Sequence, residues 1–431
     1  MSTEARQVKE PSASNLAQAD VADVPPGYKR TEAGVIPQDW NAEPLLTVLR
    51  LPTGQVDPRR EPYRSMVLVA PDHVEVATGR LLTRETSAEQ QAISGKYPFR
   101  SGDIVYSKIR PYLRKAILAD FDGLCSADMY PLSPTPDVSP GFMLAVLLGH
   151  DFSTFAEGVS ARSGIPKINR DELAEYRVAL PSHPEQRAIA EVLSDVAGLL
   201  GALETLIAKK RAIKQGAMQQ LLTGKTRLPG FSGEWDAKRL GDFASIRNQK
   251  LLPANLAPET PCVELEHIGQ NDGRLLACSA AKNSTSIKYK FLTGDVLFGR
   301  LRSYLRKFWL ADRDGICTTE IWPLVVDPQQ AVGGFLHAVV QTDRFIEASS
   351  ISYGTHMPRA DWGVMRNFEI YLPQLDEQTA IATVLSDMYA EIVALEHRRD
   401  KTRAIKQGMM QQLLTGRLRL VKPASQPEAA C

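Results

Sequence analysis

The sequence predicts an α/β protein of the α+β kind, with two globular domains related by a pseudo-twofold axis and separated by two long antiparallel coiled-coil helices. The first observation is a helical repeat: residues 185–224 return as 377–416, an offset of 192 (377 − 185), with 26 of the 40 aligned positions identical. The second is a globular repeat, because residues 99–132 align without a gap on 291–324 at the same offset. Two copies of one unit in a single chain indicate a pseudo-symmetric molecule.

Each copy opens with a similar segment around a tryptophan, GVIPQDWNAEPL and PGFSGEWDAKRL, which pairs Trp40 with Trp235. A Gly-Asp turn and a β-rich run follow at 104–109 and at 296–301, which predicts hairpin-like pieces of a mixed sheet. The stretches before these runs resemble each other little, so one scaffold is predicted to carry two different variable faces. The stretches are residues 50–96 and 246–288.

The repeated helical segments carry apolar residues at intervals that are typical of a coiled coil. In the first segment, from Ile189, they are Val192, Val196, Leu199, Leu203, Leu206 and Ile213. In the second they are Ile381, Val384, Met388, Leu395, Ile405 and Met409. Because the first helix delivers the chain to the second domain, two helices that pack on each other must be antiparallel, and they would form a rigid spacer. Helices that pack only on their own domains are the alternative. Gly224 and Gly416 are predicted C-terminal caps.

These observations divide the chain into six parts. They are a disordered extension at 1–27, a first globular domain at 28–182, a spacer helix at 183–224, a second globular domain at 225–374, a second spacer helix at 375–420, and a disordered tail at 421–431.

Composition excludes several classes of protein. The net charge is only +1, so contact with a polyanion would depend on local patches. Five cysteines without CxxC spacing favour a reducing cytoplasm, and no apolar run approaches the roughly 20 residues of a membrane helix. We therefore expect a soluble cytoplasmic protein with no membrane partner.

The first candidate for nucleic-acid contact is a basic cluster with an interleaved tyrosine, SKIRPYLRK and GRLRSYLRK. The cluster consists of Lys108, Arg110, Tyr112, Arg114 and Lys115 in the first copy and of Arg300, Arg302, Tyr304, Arg306 and Lys307 in the second. Basic residues two apart on a strand share a face, and an aromatic beside them adds a stacking surface, which suits contact with phosphates. A salt-bridged hairpin at a sheet edge is the alternative. Because the copies are nearly alike, we expect the cluster to position the DNA backbone.

The second candidate is a loop before each helix, in which Pro166 aligns with Pro358 while the polar residues around them differ. The residues singled out are Arg162, Lys167 and Asn169 in the first copy and His356 and Arg359 in the second. Different side chains on a common frame are what base readout requires. An ordinary surface loop is the alternative.

Catalytic and metal-binding signatures are missing from the sequence. The tripeptide at 224–226 is not a phosphate loop, because that motif needs a glycine where Gln219 stands. HExxH, paired CxxC and GxGxxG motifs do not occur. We expect no catalytic residue, no bound metal and no cofactor. The alternative is an enzyme with half of an active site in each repeat, which would need duplicated reactive residues. The pairs that recur are Asp103 with Asp295, in turns, and Cys125 with Cys317, in the predicted cores.

Taken together, the duplicated tryptophan segment, the GD[IV] core, the EQ-x-x-I-A-x-V-L-S-D helix start and the KQG-x-M-QQLLTG helix end resemble the specificity subunit of type I restriction-modification systems. The resemblance covers about residues 28–420. It implies two recognition domains that each read one half of a bipartite, asymmetric double-stranded DNA sequence, while the helices set the spacing.

The resemblance also implies partners. Two methyltransferase subunits would dock on the helices and bring S-adenosylmethionine, and restriction subunits would add ATP- and Mg²⁺-dependent translocation and cleavage, while the specificity subunit itself catalyses nothing. The competing interpretation is a duplicated coiled-coil adaptor whose domains bind proteins instead of DNA.

Overall fold

A computed structural model describes residues 24–161, 164–351 and 357–421. The chain divides into two compact units: the first joins Met1–Ala202 to Arg399–Cys431, and the second is Leu203–Arg398. Both long helices are shared between the units, so this division does not test the domain boundaries predicted from the sequence. Most of the two predicted tails lies outside the described residues.

The first unit is a mixture of short strands and helices. Its strands are β1 (Tyr28–Thr31), β2 (Gly34–Pro37), β3 (Asn41–Pro44), β4 (Leu49–Arg50), β5 (Leu68–Val69), β6 (Tyr97–Phe99), β7 (Ile104–Ser107), β8 (Ala116–Leu118), β9 (Gly123–Cys125), β10 (Met129–Pro134) and β11 (Arg177–Leu180). Its helices are α1 (Leu45–Val48), α2 (Pro140–Leu148), α3 (His150–Ser160), α4 (Arg170–Glu175) and the start of α5 (His183–Leu221), with 3-10 helices at Pro71–His73 and Pro111–Leu113.

The second unit repeats this order. Its strands are β12 (Asp236–Arg239), β13 (Ala244–Ile246), β14 (Lys250–Leu251), β15 (Pro261–Val263), β16 (Ser279–Ala280), β17 (Lys288–Phe291), β18 (Val296–Gly299), β19 (Phe308–Leu310), β20 (Gly315–Thr318), β21 (Ile321–Val326) and β22 (Glu369–Leu372). Its helices are α6 (Leu240–Phe243), α7 (Gly333–Val339), α8 (Asp343–Ser350), α9 (Trp362–Met365) and most of α10 (Leu375–Leu414), with 3-10 helices at Pro253–Asn255, Leu265–His267, Ala281–Asn283 and Ser303–Leu305.

Each unit is built on the same four-stranded antiparallel sheet. The strand order is β4-β10-β7-β8 in the first unit and β13-β21-β18-β19 in the second. The central strands β7 and β18 are buried along their whole length, because other elements cover both faces of the sheet. A two-stranded sheet joins the tryptophan segment to the strand before the long helix, as β3-β11 and as β12-β22. The α/β fold predicted from the repeats is confirmed.

The two stretches that look unrelated in sequence share a second sheet. In the first unit β5 pairs in parallel with β9, and Val69 lies opposite Cys125. In the second unit β15 pairs in parallel with β20, and Val263 lies opposite Cys317. In the second unit β14 and β16 extend this sheet to five strands, whereas in the first unit the same pairings are reduced to the single bridges Val56–Lys96 and Val67–Thr86. The variable faces therefore sit on a common frame, and the difference between them is largely in the loops.

The core of each unit takes in both long helices. In the first unit Ile189 of α5 and Leu413 of α10 are buried in one apolar cluster with Trp40. In the second, Leu221 of α5 and Ile381 of α10 belong to the corresponding cluster. Full burial of such a side chain stabilises the folded state by about 1.5–3 kcal/mol. Each unit therefore uses the start of one helix and the end of the other.

The two helices run in opposite directions within each unit. In the second unit, Lys210 Nζ lies 2.7 Å from Glu391 Oε1, and the Lys214 ammonium lies 5.2 Å from the centre of the Tyr389 ring. Residue numbers thus rise along α5 as they fall along α10. The antiparallel pairing predicted from chain topology is confirmed inside the units.

The predicted seam between the helices is only partly correct. Leu203 and Ile381 are buried as predicted, but Leu199, Leu206, Ile213 and Ile405 are 38–50% exposed. The seam residues that are buried include Ile189, Leu193, Ile207, Leu385 and Ile392. A helix–helix seam is formed by two rows of apolar residues that alternate at intervals of three and four residues. The helix α5 carries a further apolar row beside these two, so spacing alone could not identify which rows are buried against α10.

A buried glutamate at the start of each long helix connects three segments. Glu185 accepts hydrogen bonds from the indole nitrogen of Trp40 at 3.2 Å and from Arg419, which follows the end of α10, at 2.8 Å. In the second unit, Glu377 accepts the corresponding bond from Trp235 at 3.2 Å and pairs with Arg227, which follows the end of α5. The repeated EQ motif therefore fixes the opening segment and the end of the opposite helix to each unit.

The capping glycines yield a matched pair of variants. Gly224 and Gly416 both have positive φ, +68° and +67°, as predicted for C-terminal caps. A Cβ on Gly416 would overlap the Pro37 ring, with Cδ at 2.7 Å, whereas a Cβ on Gly224 would meet the Trp235 ring at an ordinary 3.5 Å.

We expect Gly224→Ala to cost about 1–2 kcal/mol of unfolding free energy, from left-handed backbone alone. Gly416→Ala should cost a further 1–3 kcal/mol or so because of the overlap. Urea unfolding of both variants measures the difference, and equal losses would show that the Pro37 contact relaxes freely.

Candidate nucleic-acid interface

The basic cluster forms a turn that is the same in both units; we call residues 108–115 and 300–307 the basic turns. Each contains a 3-10 helix, Pro111–Leu113 or Ser303–Leu305. Arginines flank it in the left-handed region, with φ of 48° and 46° in the first unit and 51° and 52° in the second. The prediction that these residues lie on a strand is wrong: β7 and β18 end before the arginines, and the positive φ values turn the chain out of the sheet.

Positive φ in two non-glycine residues per turn costs folding energy and persists only where the surroundings determine the backbone. These surroundings are the second predicted candidate, the proline loop (residues 164–170 and 357–361). In the first unit the Arg110 amide donates to the Pro166 carbonyl at 2.8 Å. In the second the Arg302 amide donates to the Pro358 carbonyl, also at 2.8 Å. The structure thus brings both candidate segments together in each unit.

The tip of each basic turn presents a tyrosine and an arginine to solvent. The side chain of Tyr112 is 49% exposed and that of Tyr304 is 53% exposed. Arg110 and Arg302, which precede them, are exposed as well. Because the backbone beneath them is fixed, contact with a ligand would cost the conformational freedom of the side chains but not that of the turn.

Other members of the predicted cluster hold the turn in place. Lys115 Nζ donates to the Pro71 carbonyl at 2.6 Å, and Lys307 Nζ donates to the Leu265 carbonyl at 2.7 Å. These two bonds connect each basic turn to the 3-10 helix that follows the parallel strand of the second sheet, Pro71–His73 in the first unit and Leu265–His267 in the second. Both ammonium groups are engaged within the protein, and their contact with DNA stays a prediction.

Two further basic residues lie over aromatic rings at equivalent places. The Lys108 ammonium is 5.3 Å from the centre of the Tyr130 ring, and the Arg300 guanidinium is 5.4 Å from that of Trp322. Cation–π contacts of this kind orient a charged head without neutralising it. Arg114, the last left-handed arginine of the first unit, is half-buried.

The units differ in how their remaining candidates are engaged. In the second unit Arg359 holds Glu320 with two parallel bonds near 3.0 Å, and Arg306 pairs with Asp343. In the first unit Lys167, the counterpart of Arg359, is exposed, and Asn169 caps α4. The proline loops therefore present different charges on one backbone. Arg162 and His356 lie outside the described residues.

Sequence reasoning missed the carboxylates that accompany the basic residues. Glu320 and Asp343 are far along the chain from the arginines that they bind, and no spacing rule connects them. The strands β14 and β16 at the edges of the second sheet were missed too, because strands of two residues leave no periodic signal.

Three cysteines of the described residues, Cys125, Cys262 and Cys317, are buried in the cores, whereas Cys278 is exposed. Burial raises the pKa of the Cys262 thiol to about 11 and also raises the pKa of the Cys125 and Cys317 thiols. These thiols are therefore protonated at neutral pH and are poor nucleophiles. Among the residues in 24–161, 164–351 and 357–421, no group of three His, Cys, Asp or Glu side chains could hold a metal ion. No helix in the same ranges is both long and apolar enough to cross a membrane.

The fold and the paired basic turns define a duplicated recognition protein, and comparison with known proteins identifies its family. Residues 72–215 and 232–403 match the type I restriction modification DNA specificity domain, and together they cover more than half of the chain. The chain belongs to this family and contains two of its DNA specificity domains.

Individual relatives agree with this assignment. The type I restriction enzyme EcoDI specificity subunit of Escherichia coli is 31% identical over 211 residues, which is 49% of this chain and 46% of that protein. The MjaVIII specificity subunit of Methanocaldococcus jannaschii is 23% identical over 290 residues, 62% of this chain and 68% of that protein. The aligned part thus spans about half the length of the first relative.

Two solved structures share the fold. A chain from a type I R-M system, studied for complex assembly and conformational transition, has a TM-score of 0.53 at 19% identity and covers 89% of this chain and 99% of its own length. The S subunit of a type I restriction-modification system from M. genitalium has a TM-score of 0.56 at 13% identity, covering 87% and 96%. The matches give no support to the alternative of a protein-binding adaptor.

Proposed function

We propose that this chain gives a type I restriction-modification complex its DNA specificity, and that each unit reads one half of a bipartite, asymmetric target. The observation that carries the proposal is the pair of basic turns: one pinned backbone occurs twice, and its charged neighbours differ between the copies. A backbone conformation that is common to both units can contact the DNA phosphates in the same way in each half-site. The side chains that differ between the units can then read two different base sequences.

Within each half-site the residues would divide the work. Arg110 and Tyr112, like Arg302 and Tyr304, are common to both units, so they are suited to phosphate contact and stacking beside a groove. Base readout would fall to residues that differ, among them Lys167 in the first unit and Arg359 with Glu320 in the second. A lysine or arginine can donate to the guanine edge, and a carboxylate can accept from cytosine.

The subunit would catalyse no step itself. S-adenosylmethionine would belong to two methyltransferase subunits, and ATP with Mg²⁺ to the restriction subunits, so this chain needs no cofactor. We expect the complex to work in the cytoplasm. The α5–α10 pair would set the spacing between the half-sites.

Mapping of methylated adenines tests the proposal directly. The chain is co-expressed with its modification subunit, and the genome is read by long-read sequencing. We expect a split motif with two unlike halves, and replacement of residues 28–182 by another recognition domain should change one half only. An undivided motif, or a change in both halves, would contradict the proposal.

The apolar row of α5 that is not in the seam supports docking of a methyltransferase subunit on this helix. Leu206 and Ile213 are 38% and 46% exposed and lie seven residues apart on the helix. The corresponding positions in α10 are Arg398 and Ile405. An exposed row of large apolar side chains is suited to a partner helix.

We expect Leu206→Glu to weaken assembly with the modification subunit by at least about ten-fold, because a charge would be buried against apolar surface. Sedimentation of the mixed subunits measures the affinity. Ala208→Glu makes the same charge change on the opposite flank of the helix, and it should leave assembly within about two-fold of the wild type. Equal behaviour of the two variants would place the partner elsewhere.

A further inference from the structure

A loop beside each basic turn holds the second left-handed arginine of that turn; we call residues 75–80 and 269–274 the flanking loops. The amide of Ala77 donates to the Arg114 carbonyl at 3.2 Å, and the amide of Asn271 donates to the Arg306 carbonyl at 2.9 Å. The proline loop therefore fixes the beginning of each basic turn, and the flanking loop fixes its end. Both flanking loops belong to the stretches that resemble each other little in sequence.

The two flanking loops share one backbone, although they correspond at an offset of 194 (271 − 77) instead of 192. One β-bridge closes each loop, Val74 with Leu81 in the first unit and Ile268 with Leu275 in the second. The residue whose amide holds the arginine has a φ of +60° in both loops. The glycine two positions later has positive φ in both as well. The flanking loops are therefore a structural repeat that the alignment at 192 does not show.

The positions that shape the loop keep the same chemistry in both units. Thr78 Oγ1 accepts a hydrogen bond from the Arg80 amide at 3.2 Å, and Asp272 Oδ1 accepts one from the Arg274 amide at 3.0 Å. A short polar side chain that accepts from the backbone two residues later is a common way to form a tight turn. The frame is thus built in the same way in both loops.

The two positions ahead of this tight turn differ in chemistry. In the second unit they are Gln270 and Asn271, and both are exposed. In the first unit they are Val76, which is 48% exposed, and Ala77. Within residues 24–161, 164–351 and 357–421, neither carboxamide of the second loop makes a hydrogen bond. Two adjacent amide groups are therefore available to a ligand.

Backbone energy alone does not explain these two residues. Asparagine is enriched in the left-handed region, which by itself would account for Asn271 without a function. Ala77, however, adopts the same φ in the first unit, so the loop does not depend on a carboxamide there. The preference also does not apply to Gln270, because that residue precedes the left-handed position.

We propose that the flanking loop of the second unit reads adenine, through hydrogen bonds from the carboxamides of Gln270 and Asn271 to the N6 and N7 edge of the base. The inference rests on the proposed function, because it adds residues to the same DNA-reading surface. A carboxamide matches adenine because its oxygen accepts from N6 while its nitrogen donates to N7. In the first unit Val76 offers an apolar surface at this point, which suits the methyl group of thymine.

The position of the loop agrees with this role. The flanking loop is bonded to the carbonyl of Arg306, only two residues after Tyr304 at the tip of the basic turn. A phosphate contact at the tip would therefore bring the carboxamides close to the edges of the bases. The adenine that is methylated must keep its N6 free for the transfer, so the adenine read by the loop is a different one.

The test uses the chain assembled with its modification subunit. A methylation map of the wild type gives the motif, and the half that survives replacement of residues 28–182 is the second half-site. Duplexes are then made in which each of its A·T pairs is replaced by G·C in turn. Gln270→Val/Asn271→Ala installs the residues of the first unit's loop. At one A·T pair or more it should lose about 5–150-fold of the wild-type discrimination against G·C, the range for one bidentate contact.

A matched control and a second variant accompany this measurement. Gln329→Ala removes another exposed carboxamide of the second unit, and it should leave every base preference unchanged. Gln329 follows the end of β21, which runs antiparallel to β18, so it lies at the end of the sheet away from the basic turn. Gln270→Val/Asn271→Gly keeps a residue suited to the left-handed position, and it carries the test if the alanine variant does not fold.

The outcomes separate this inference from the proposed function. Unchanged discrimination in the double variant would overturn the inference and leave the proposed function standing. An equal loss in Gln329→Ala would overturn it as well, and so would weaker binding to all duplexes with the same base preference, which would reduce the loop to a backbone contact. An undivided wild-type motif would overturn both proposals.

Discussion

Replacement of Glu185 by alanine is expected to destabilise the first unit by about 3–5 kcal/mol, the range for removal of one partner from a buried ion pair. The side chain of Glu185 is 1% exposed, and it accepts from Trp40 and from Arg419. Its loss would leave an indole N–H without an acceptor in the core and would leave Arg419, 21% exposed, with Asp39 alone.

Urea unfolding measures the loss, and hydrogen exchange locates it. Glu377→Ala is the twin variant and should destabilise the second unit to a similar extent, because Glu377 holds Trp235 and Arg227 in the same way. Glu191→Ala is the control: it removes an exposed carboxylate from the same helix and should cost less than about 1 kcal/mol. A decrease of less than about 1 kcal/mol in the unfolding free energy of Glu185→Ala would mean that these hydrogen bonds orient the three segments but add little to stability.

The second large effect is expected at the tip of the basic turn. The double variant Arg302→Ala/Tyr304→Ala should weaken DNA binding by the assembled complex by about 10–100-fold, since a phosphate contact and a stacking surface each contribute on the order of 1 kcal/mol or more. Arg302→Ala alone should reduce the slope of log affinity against log salt by about one. Both side chains are exposed, so the unfolding temperature should be unchanged.

Two controls distinguish a local contact from a loss of charge. Arg313→Ala removes an exposed arginine that is bonded to its neighbour Asp312, and it should leave the salt slope as it is. Arg110→Ala/Tyr112→Ala makes the twin change in the first unit, and it should affect the other half-site. Binding within two-fold of the wild type in both double variants would remove the basic turns from the interface.

Much of the fold could be predicted from the sequence because the chain is a duplication. An offset of 192 identified the two copies, the long helices and the capping glycines, whose positive φ the structure confirms. Local rules sufficed here, since a helix end and a Gly-Asp turn depend on residues a few positions apart.

The candidate interface was only partly predictable. The positions of the basic turns and proline loops were recognised, but their conformation was not: Arg110 and Arg302 leave the strand because the proline loop accepts their amide hydrogens. Partners such as Glu320 for Arg359, separated by 39 residues, become visible only when the chain is folded.

The sequence by itself determined that there are two copies, which two segments form the long helices, and where basic and aromatic residues recur, because these properties reside in order and spacing. Only the tertiary structure decided which apolar row of α5 is covered and which cations are held by carboxylates or carbonyls. The physical reason is that burial and ion pairing depend on distances between segments that are remote in sequence. Two apolar rows or two charged residues that look equivalent along the chain become different once another segment packs against one of them.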